Sequence, residues 1–147
     1  MVNSWGYIGL MVIAGALLAF QSPINAALGR SVGIYEASFI SFLIGTLVAA
    51  VMVMLIGKGD VKAVTGVPMW QLIGGITGLI YVTMIIVSVG EIGVTAVMVA
   101  GLVGQMITAM LIDHYGWFGM TARPIQPTRI MGALMLGVSI LLINWKR

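Results

Sequence analysis

Apolar residues run through this chain in five long stretches, separated by short polar breaks. The first runs from Trp5 to Leu28 and is interrupted late, at Gln21-Ser22-Pro23-Ile24-Asn25. A short break, Gly29 to Gly33, precedes the second stretch, Ile34 to Ile56. The loop Gly57 to Lys62 is polar and contains two glycines, as a solvent-facing turn does. Pro68 suits the first turn of a third helix, where its missing N–H is not needed, and that helix is predicted over Met69 to Val89. A tight turn at Gly90-Glu91-Ile92-Gly93 leads into the fourth, Val94 to Ile112. The longest loop, Asp113 to Gln126, is closed by Pro124 and Pro127, and the fifth helix covers Thr128 to Asn144. Stretches of about 20 apolar residues are long enough to cross a hydrocarbon core of about 30 Å. The pattern predicts an all-α fold, a polytopic bundle of five transmembrane helices forming a single domain over residues 1–147. Trp5, Trp70, Trp117 and Trp145 all fall at helix ends, where amphipathic rings sit among headgroups.

Composition agrees. The chain is 61% hydrophobic and 7% charged, whereas a soluble domain is about 45–50% apolar and about 25% charged. A chain of 147 residues has too small an interior to hide that much apolar surface, so the solvent for these side chains is lipid. Met1 to Ser4 carry no Lys or Arg, and the apolar run that follows outlasts a signal-peptide core; the first helix is read as retained. The absence of cysteine excludes thiol catalysis, disulfides and thiolate metal sites. A single histidine, His114, excludes any site needing a His pair in one chain. No basic patch suggests nucleic acid, and the net charge of +3 comes from basic residues in loops and at the C-terminus.

Five spans place Lys58, Lys62, Arg123 and Arg129 on one side of the membrane and Arg30, Lys146 and Arg147 on the other. Orientation normally follows the Lys/Arg bias, and four against three is almost none. Two readings follow. The small bias suffices for one orientation, or the chain inserts both ways and pairs with its inverted copy.

In lipid, helices associate through close packing of small residues. The second helix carries such a stripe at Gly33, Ala37, Ser41, Gly45 and Ala49. The fourth carries another at Ala96, Ala100, Gly104 and Thr108. Both are expected to pack tightly against a neighbour, in the same chain or another.

Polar residues at membrane depth are costly, so each is a candidate site. Gln21, Ser22 and Asn25 flank Pro23, whose ring removes one backbone hydrogen bond and presses on the carbonyl of Ala19. Broken helices beside a binding site recur in secondary transporters; an ordinary kink patched by neighbouring side chains is the alternative. Gln105 lies in mid-helix 4, where its carboxamide either locks two helices or contacts a solute. Ser38 and Ser41 have the ordinary option of bonding their own i−4 carbonyls. Glu36 is the carboxylate best placed for ion coupling, while its position in the first turn of helix 2 also suits the helix dipole. Asp113-His114-Tyr115 closes helix 4 and reads as an interfacial anchor. Catalysis is not supported: GxxxxGK[ST] and HExxH are both missing, and His114 lacks an obvious serine partner. No cofactor or metal is implied.

Three segments together resemble the YdcZ family, small five-helix proteins of the drug/metabolite transporter superfamily. They are Gln21-Ser22-Pro23-Ile24-Asn25-Ala26-Ala27-Leu28-Gly29, Ala37-Ser38-Phe39-Ile40-Ser41-Phe42-Leu43-Ile44-Gly45-Thr46, and Gly104-Gln105 through Ile112-Asp113-His114-Tyr115-Gly116-Trp117-Phe118-Gly119. The resemblance implies one half of a transporter whose larger relatives look like two five-helix halves in inverted orientation. Such a half needs an antiparallel copy, or an oppositely oriented paralogue. Small drug-exporting relatives carry a glutamate in mid-helix 1, whereas this first helix has no carboxylate; neutral Gln21 and Asn25 suit a polar or zwitterionic solute.

The expectation is a multi-pass inner (plasma) membrane protein, a secondary transporter of a small polar metabolite working as an antiparallel dimer, and not an enzyme. Gln21, Asn25, Ser41 and Gln105 would line the path, Pro23 would break helix 1, and Glu36 would couple an ion. Ala37, Gly45, Ala100 and Gly104 would pack helices. A non-transporting membrane scaffold, or a channel, is the rival.

Overall fold

In the computed structural model, which describes residues 4–145, the apolar stretches are helical. The first two are α1 (Ser4–Val32) and α2 (Ile34–Ile56). A polar stretch with two 3₁₀ segments, Val61–Gly66 and Met69–Leu72, follows. Asp60 caps the first of these by accepting the backbone N–H of Lys62 at 2.9 Å. The apolar run Met69–Tyr115 is 47 residues long. A straight helix of that length would reach about 70 Å, more than twice the hydrocarbon thickness. Gly93 breaks it with φ 77° and ψ 162°, giving α3 (73–92) and α4 (94–115), each about one membrane thickness long. The final helix is α5 (Pro127–Asn144), with proline in its first turn. The described residues thus hold five membrane-length helices, as the hydrophobic pattern predicts. Lys146 and Arg147, which enter the charge comparison, lie outside them.

Several boundaries differ from the sequence expectation, and one of these matters for function. The break expected over Gly29 to Gly33 shrinks to Gly33 alone. Its N–H donates to the carbonyl of Gly29 at 3.0 Å, ending the α1 ladder, and its carbonyl accepts from Ala37 at 3.0 Å, opening the α2 ladder. The reversal requires φ 105° and ψ 155°, open to glycine and strained for any residue with a Cβ. So short a turn leaves little backbone needing water, which suits an apolar surrounding. α1 also runs through Pro23 as unbroken helix. The proline removes one ladder bond, from residue 23 to the carbonyl of Ala19, without ending the helix.

The chain gathers into two compact units that divide between Glu91 and Ile92. In the first, α1 and α2 form an antiparallel hairpin against α3. Ala37, Val82 and Ile86 are buried at its centre, with Leu28 and Phe42 packed on them. Close approach depends on small residues. A Cβ built on Gly29 would lie 2.6 Å from Cγ2 of Ile86, and one on Gly78 would lie 3.5 Å from the Phe42 ring. In the second unit, Met106 of α4 reaches Gly132 of α5. Arg129 Nη1 donates to Asp113 Oδ2 at 2.8 Å, tying the foot of α5 to the end of α4. The Arg123 backbone N–H donates to the carbonyl of Asp113 at 2.7 Å, closing the long loop over the same aspartate.

Most large apolar side chains remain uncovered by the chain itself, including Leu47, Val51, Met54 and Leu55 of α2 and Leu134, Met135 and Leu141 of α5. In water such a surface would aggregate; in a bilayer it is the lipid-facing or partner-facing surface. Trp5, Trp70, Trp117 and Trp145 are all exposed, and Tyr115 stacks on Trp117 with ring centroids 5.6 Å apart.

Candidate functional site

The buried face of α1 is Ser22, Asn25, Ala26 and Gly29, the i, i+3, i+4, i+7 spacing of one helical side. Two of the four are polar, and they face short side chains. Opposite lie Ala37, fully buried, and Ser38, nearly so, on α2. The hydroxyl of Ser41 donates to Asn25 Oδ1 at 2.8 Å, bridging α1 and α2. A second polar rung joins α2 to α3. Thr83 Oγ1 lies 2.9 Å from Ser38 Oγ and 2.9 Å from its own i−4 acceptor, the carbonyl of Leu79. Its single proton serves one of these at a time. Ser38 in turn donates to the carbonyl of Ile34 at 3.1 Å.

The depth of this layer follows from helix geometry. Asn25 stands seven residues before the end of α1 at Val32, and Ser41 seven after the start of α2 at Ile34, so both lie about 10 Å inside the helix ends. Thr83 lies about 14 Å from the end of α3. Had α1 ended at Leu28, Asn25 would sit about 5 Å from that end, among the headgroups. The continuation of α1 to Val32 instead sets the polar layer about 10 Å from the helix end.

The predicted site residues divide. Asn25 and Ser41 are brought together by a direct hydrogen bond; Ser41 reaches across to α1 instead of bonding its own backbone. Gln21 falls just outside the buried face, about 100° round α1 from Ser22, and is exposed. Gln105 belongs to the second unit, on α4, where it is exposed and engaged in a polar interaction. Glu36 sits in the first turn of α2, exposed, its carboxylate folded over Gly33 so that a Cβ there would collide with it. That is a position the helix dipole favours. Of the packing residues, Ala37 is buried within the chain and Ala100 half-buried. Gly45 and Gly104 have nothing within 4 Å of where a Cβ would be.

Thr83 was missed by the sequence reading. Its signal is a hydroxyl in the middle of an apolar run, which by itself predicts only a bond to the i−4 carbonyl, and the structure contains that bond too. Ser22 was seen only as part of a cluster. The structure adds that it is 1% exposed and that its hydroxyl has no hydrogen-bond partner among the described residues.

The layer is therefore a set of neutral hydrogen-bonding groups at membrane depth, on three helices, with no ionisable side chain among the buried described residues. It can orient a polar solute but supplies no nucleophile–base pair. No curated protein and no solved structure matches the chain. The family described as "Putative inner membrane exporter, YdcZ" matches residues 6–142, nearly the whole length. The five apolar helices and this match agree that the chain belongs to the YdcZ family and is a multi-pass inner membrane protein of the transporter class.

Proposed function

We propose that the chain is one half of a secondary transporter for a small polar metabolite, completed by a second copy in inverted orientation and working by alternating access. The observation that carries this reading is the Asn25–Ser41 layer about 10 Å below the helix ends. Polar groups at that depth are costly in a protein that only scaffolds a neighbour. Gln21 borders the layer on its uncovered side, and Gln105, in the second unit, is a further candidate for solute contact. Glu36, in the first turn of α2, is the acidic group assigned to ion coupling. Nothing in the layer performs covalent chemistry, so transport without catalysis, cofactor or metal is the function it suits.

Two features support the inverted partner. The near balance of basic residues leaves orientation weakly specified. The outer stripes at Gly45 and Gly104 have backbone open to close approach, which in lipid is what joins helices. An oppositely oriented paralogue would satisfy both features as well.

The test is accumulation of metabolites from a ¹³C-labelled cell extract by everted inner-membrane vesicles containing the chain, read by mass spectrometry. At least one small polar metabolite is expected to accumulate. The Asn25→Leu/Ser41→Ala variant should lose that accumulation while reaching the membrane in equal amount. Equal accumulation with and without the layer, or none beyond empty vesicles, contradicts the proposal.

A further inference from the structure

Hydroxyls in these helices have a default partner. Ser31, Ser38, Thr46, Thr83 and Ser139 each bond the carbonyl four residues earlier, as hydroxyls in apolar helices ordinarily do. Ser22 does not, although Leu18 precedes it by four in the same unbroken helix. Its side chain is among the most deeply buried in the chain, and its oxygen has no partner among the described residues. A hydroxyl left unpaired in an apolar interior opposes folding. Such groups are rare in native structures, and a bound ligand is one way in which one is satisfied.

One turn along the same face stands Asn25. Its carboxamide oxygen accepts from the Ser41 hydroxyl with one of two lone pairs, and its NH2 group carries two N–H donors. Ser22 adds an O–H. The donors of this face, one O–H and the carboxamide N–H groups, suit an acceptor oxygen, and the Ala19 carbonyl freed by Pro23 lies one turn away on the same helix. Charge narrows the choice. The buried polar side chains among the described residues are Ser22, Asn25 and Ser38, all neutral, and Arg30 and Glu36 are exposed near the helix ends. With no cation to balance it, a net anion would be stranded in the low-dielectric layer, and a net cation would find donors pointing at it.

We infer that Ser22 and Asn25 form a donor clamp for the carbonyl or carboxylate oxygen of a solute with no net charge. This rests on the transporter reading above and names both the substrate class and a contact residue, Ser22. The neighbours on this face, Ala26, Gly29 and Ala37, are small, and Ile86 packs against Gly29.

The test uses thermal unfolding of the purified full chain in detergent with four probes of similar size: acetamide, glycine, acetate and ethylammonium. Acetamide or glycine is expected to raise the melting temperature, and whichever does so tells a neutral amide from a zwitterion. Acetate and ethylammonium at equal concentration should not. Ser22→Ala should abolish the shift and, without any probe, melt no lower than wild type, because the hydroxyl has no bond to lose. A shift that persists in Ser22→Ala overturns the clamp, as does a Ser22→Ala protein that melts lower without probe. Equal stabilisation by all four probes, or by none, also overturns it. In each of these cases the transporter reading still stands or falls separately on metabolite accumulation in vesicles.

Discussion

Gly29→Ala tests how the first unit is held together. A Cβ at this position would lie 2.6 Å from Cγ2 of Ile86, whereas carbon atoms pack at about 3.5–4.0 Å. The shortfall is therefore about 1 Å. Ile86 cannot absorb it by rotating, because a β-branched side chain in a helix has one strongly preferred rotamer, and the residue is buried. Instead α1 must move away from α3, loosening the packing of Leu28 and Phe42 on Ala37, Val82 and Ile86. Overpacking of this kind costs about 1–3 kcal/mol, roughly one to two orders of magnitude in the folding equilibrium. The variant should show that loss in reversible denaturant unfolding in mixed micelles, followed by tryptophan fluorescence. Gly15→Ala, in the same helix with nothing within 4 Å, is the control and should be neutral or slightly stabilising. Ile86→Ala removes the clashing carbon at its own cost, about 2–5 kcal/mol. Combined with Gly29→Ala it should cost at least about 1 kcal/mol less than the sum, because the new methyl fills part of the space. A Gly29→Ala protein as stable as the control, or strict additivity in the double variant, would refute the reasoning.

Other expectations follow from the same geometry. Asn25→Ala and Ser41→Ala each break the inter-helix bond, and a double-mutant cycle between them should give a coupling of about 0.6 kcal/mol, the usual scale for such bonds in lipid; zero coupling would mean the pair does not bond. Alanine at Gly93, where φ is 77°, should cost about 1–3 kcal/mol, measured in the same unfolding assay; an unchanged midpoint would place the break elsewhere. Asp113→Asn should cost no more than about 1 kcal/mol, since both partners of its ion pair with Arg129 are about one-third exposed, and the exchanged pair Asp113→Arg/Arg129→Asp should recover most of that loss.

Helix count and approximate limits were legible because lipid demands about 20 apolar residues per span and Trp marks the ends. The end of α1 was not. Gly29 and Arg30 look like a helix stop, yet Gly29 is a packing residue against Ile86, and Gly33 alone can take φ 105°. Distinguishing a glycine that turns from one that packs requires knowing the neighbour. Pro23 reads as a break because it removes a hydrogen bond, but one lost bond does not end a long apolar helix. The continued α1 sets Asn25 about 10 Å from the end of the helix. Asn25 and Ser41 were each named from residue type, but their hydrogen bond was not foreseen; its register depends on the one-residue turn at Gly33. The isolation of Ser22 carries no sequence signal, since the default for such a serine is a bond to its own helix.

The central claim, one half of a transporter completed by its inverted copy, is tested most directly by topology. Single cysteines at Thr65, in the polar stretch between α2 and α3, and at Trp145, at the end of α5, leave every charged residue in place in a cysteine-free chain. Labelling intact cells with a membrane-impermeant maleimide should modify each site in a fraction of the molecules, and adding one Lys at either end should shift both fractions in opposite directions. Labelling of only one site, complete and unmoved by the added Lys, would mean a single orientation and would contradict the inverted homodimer.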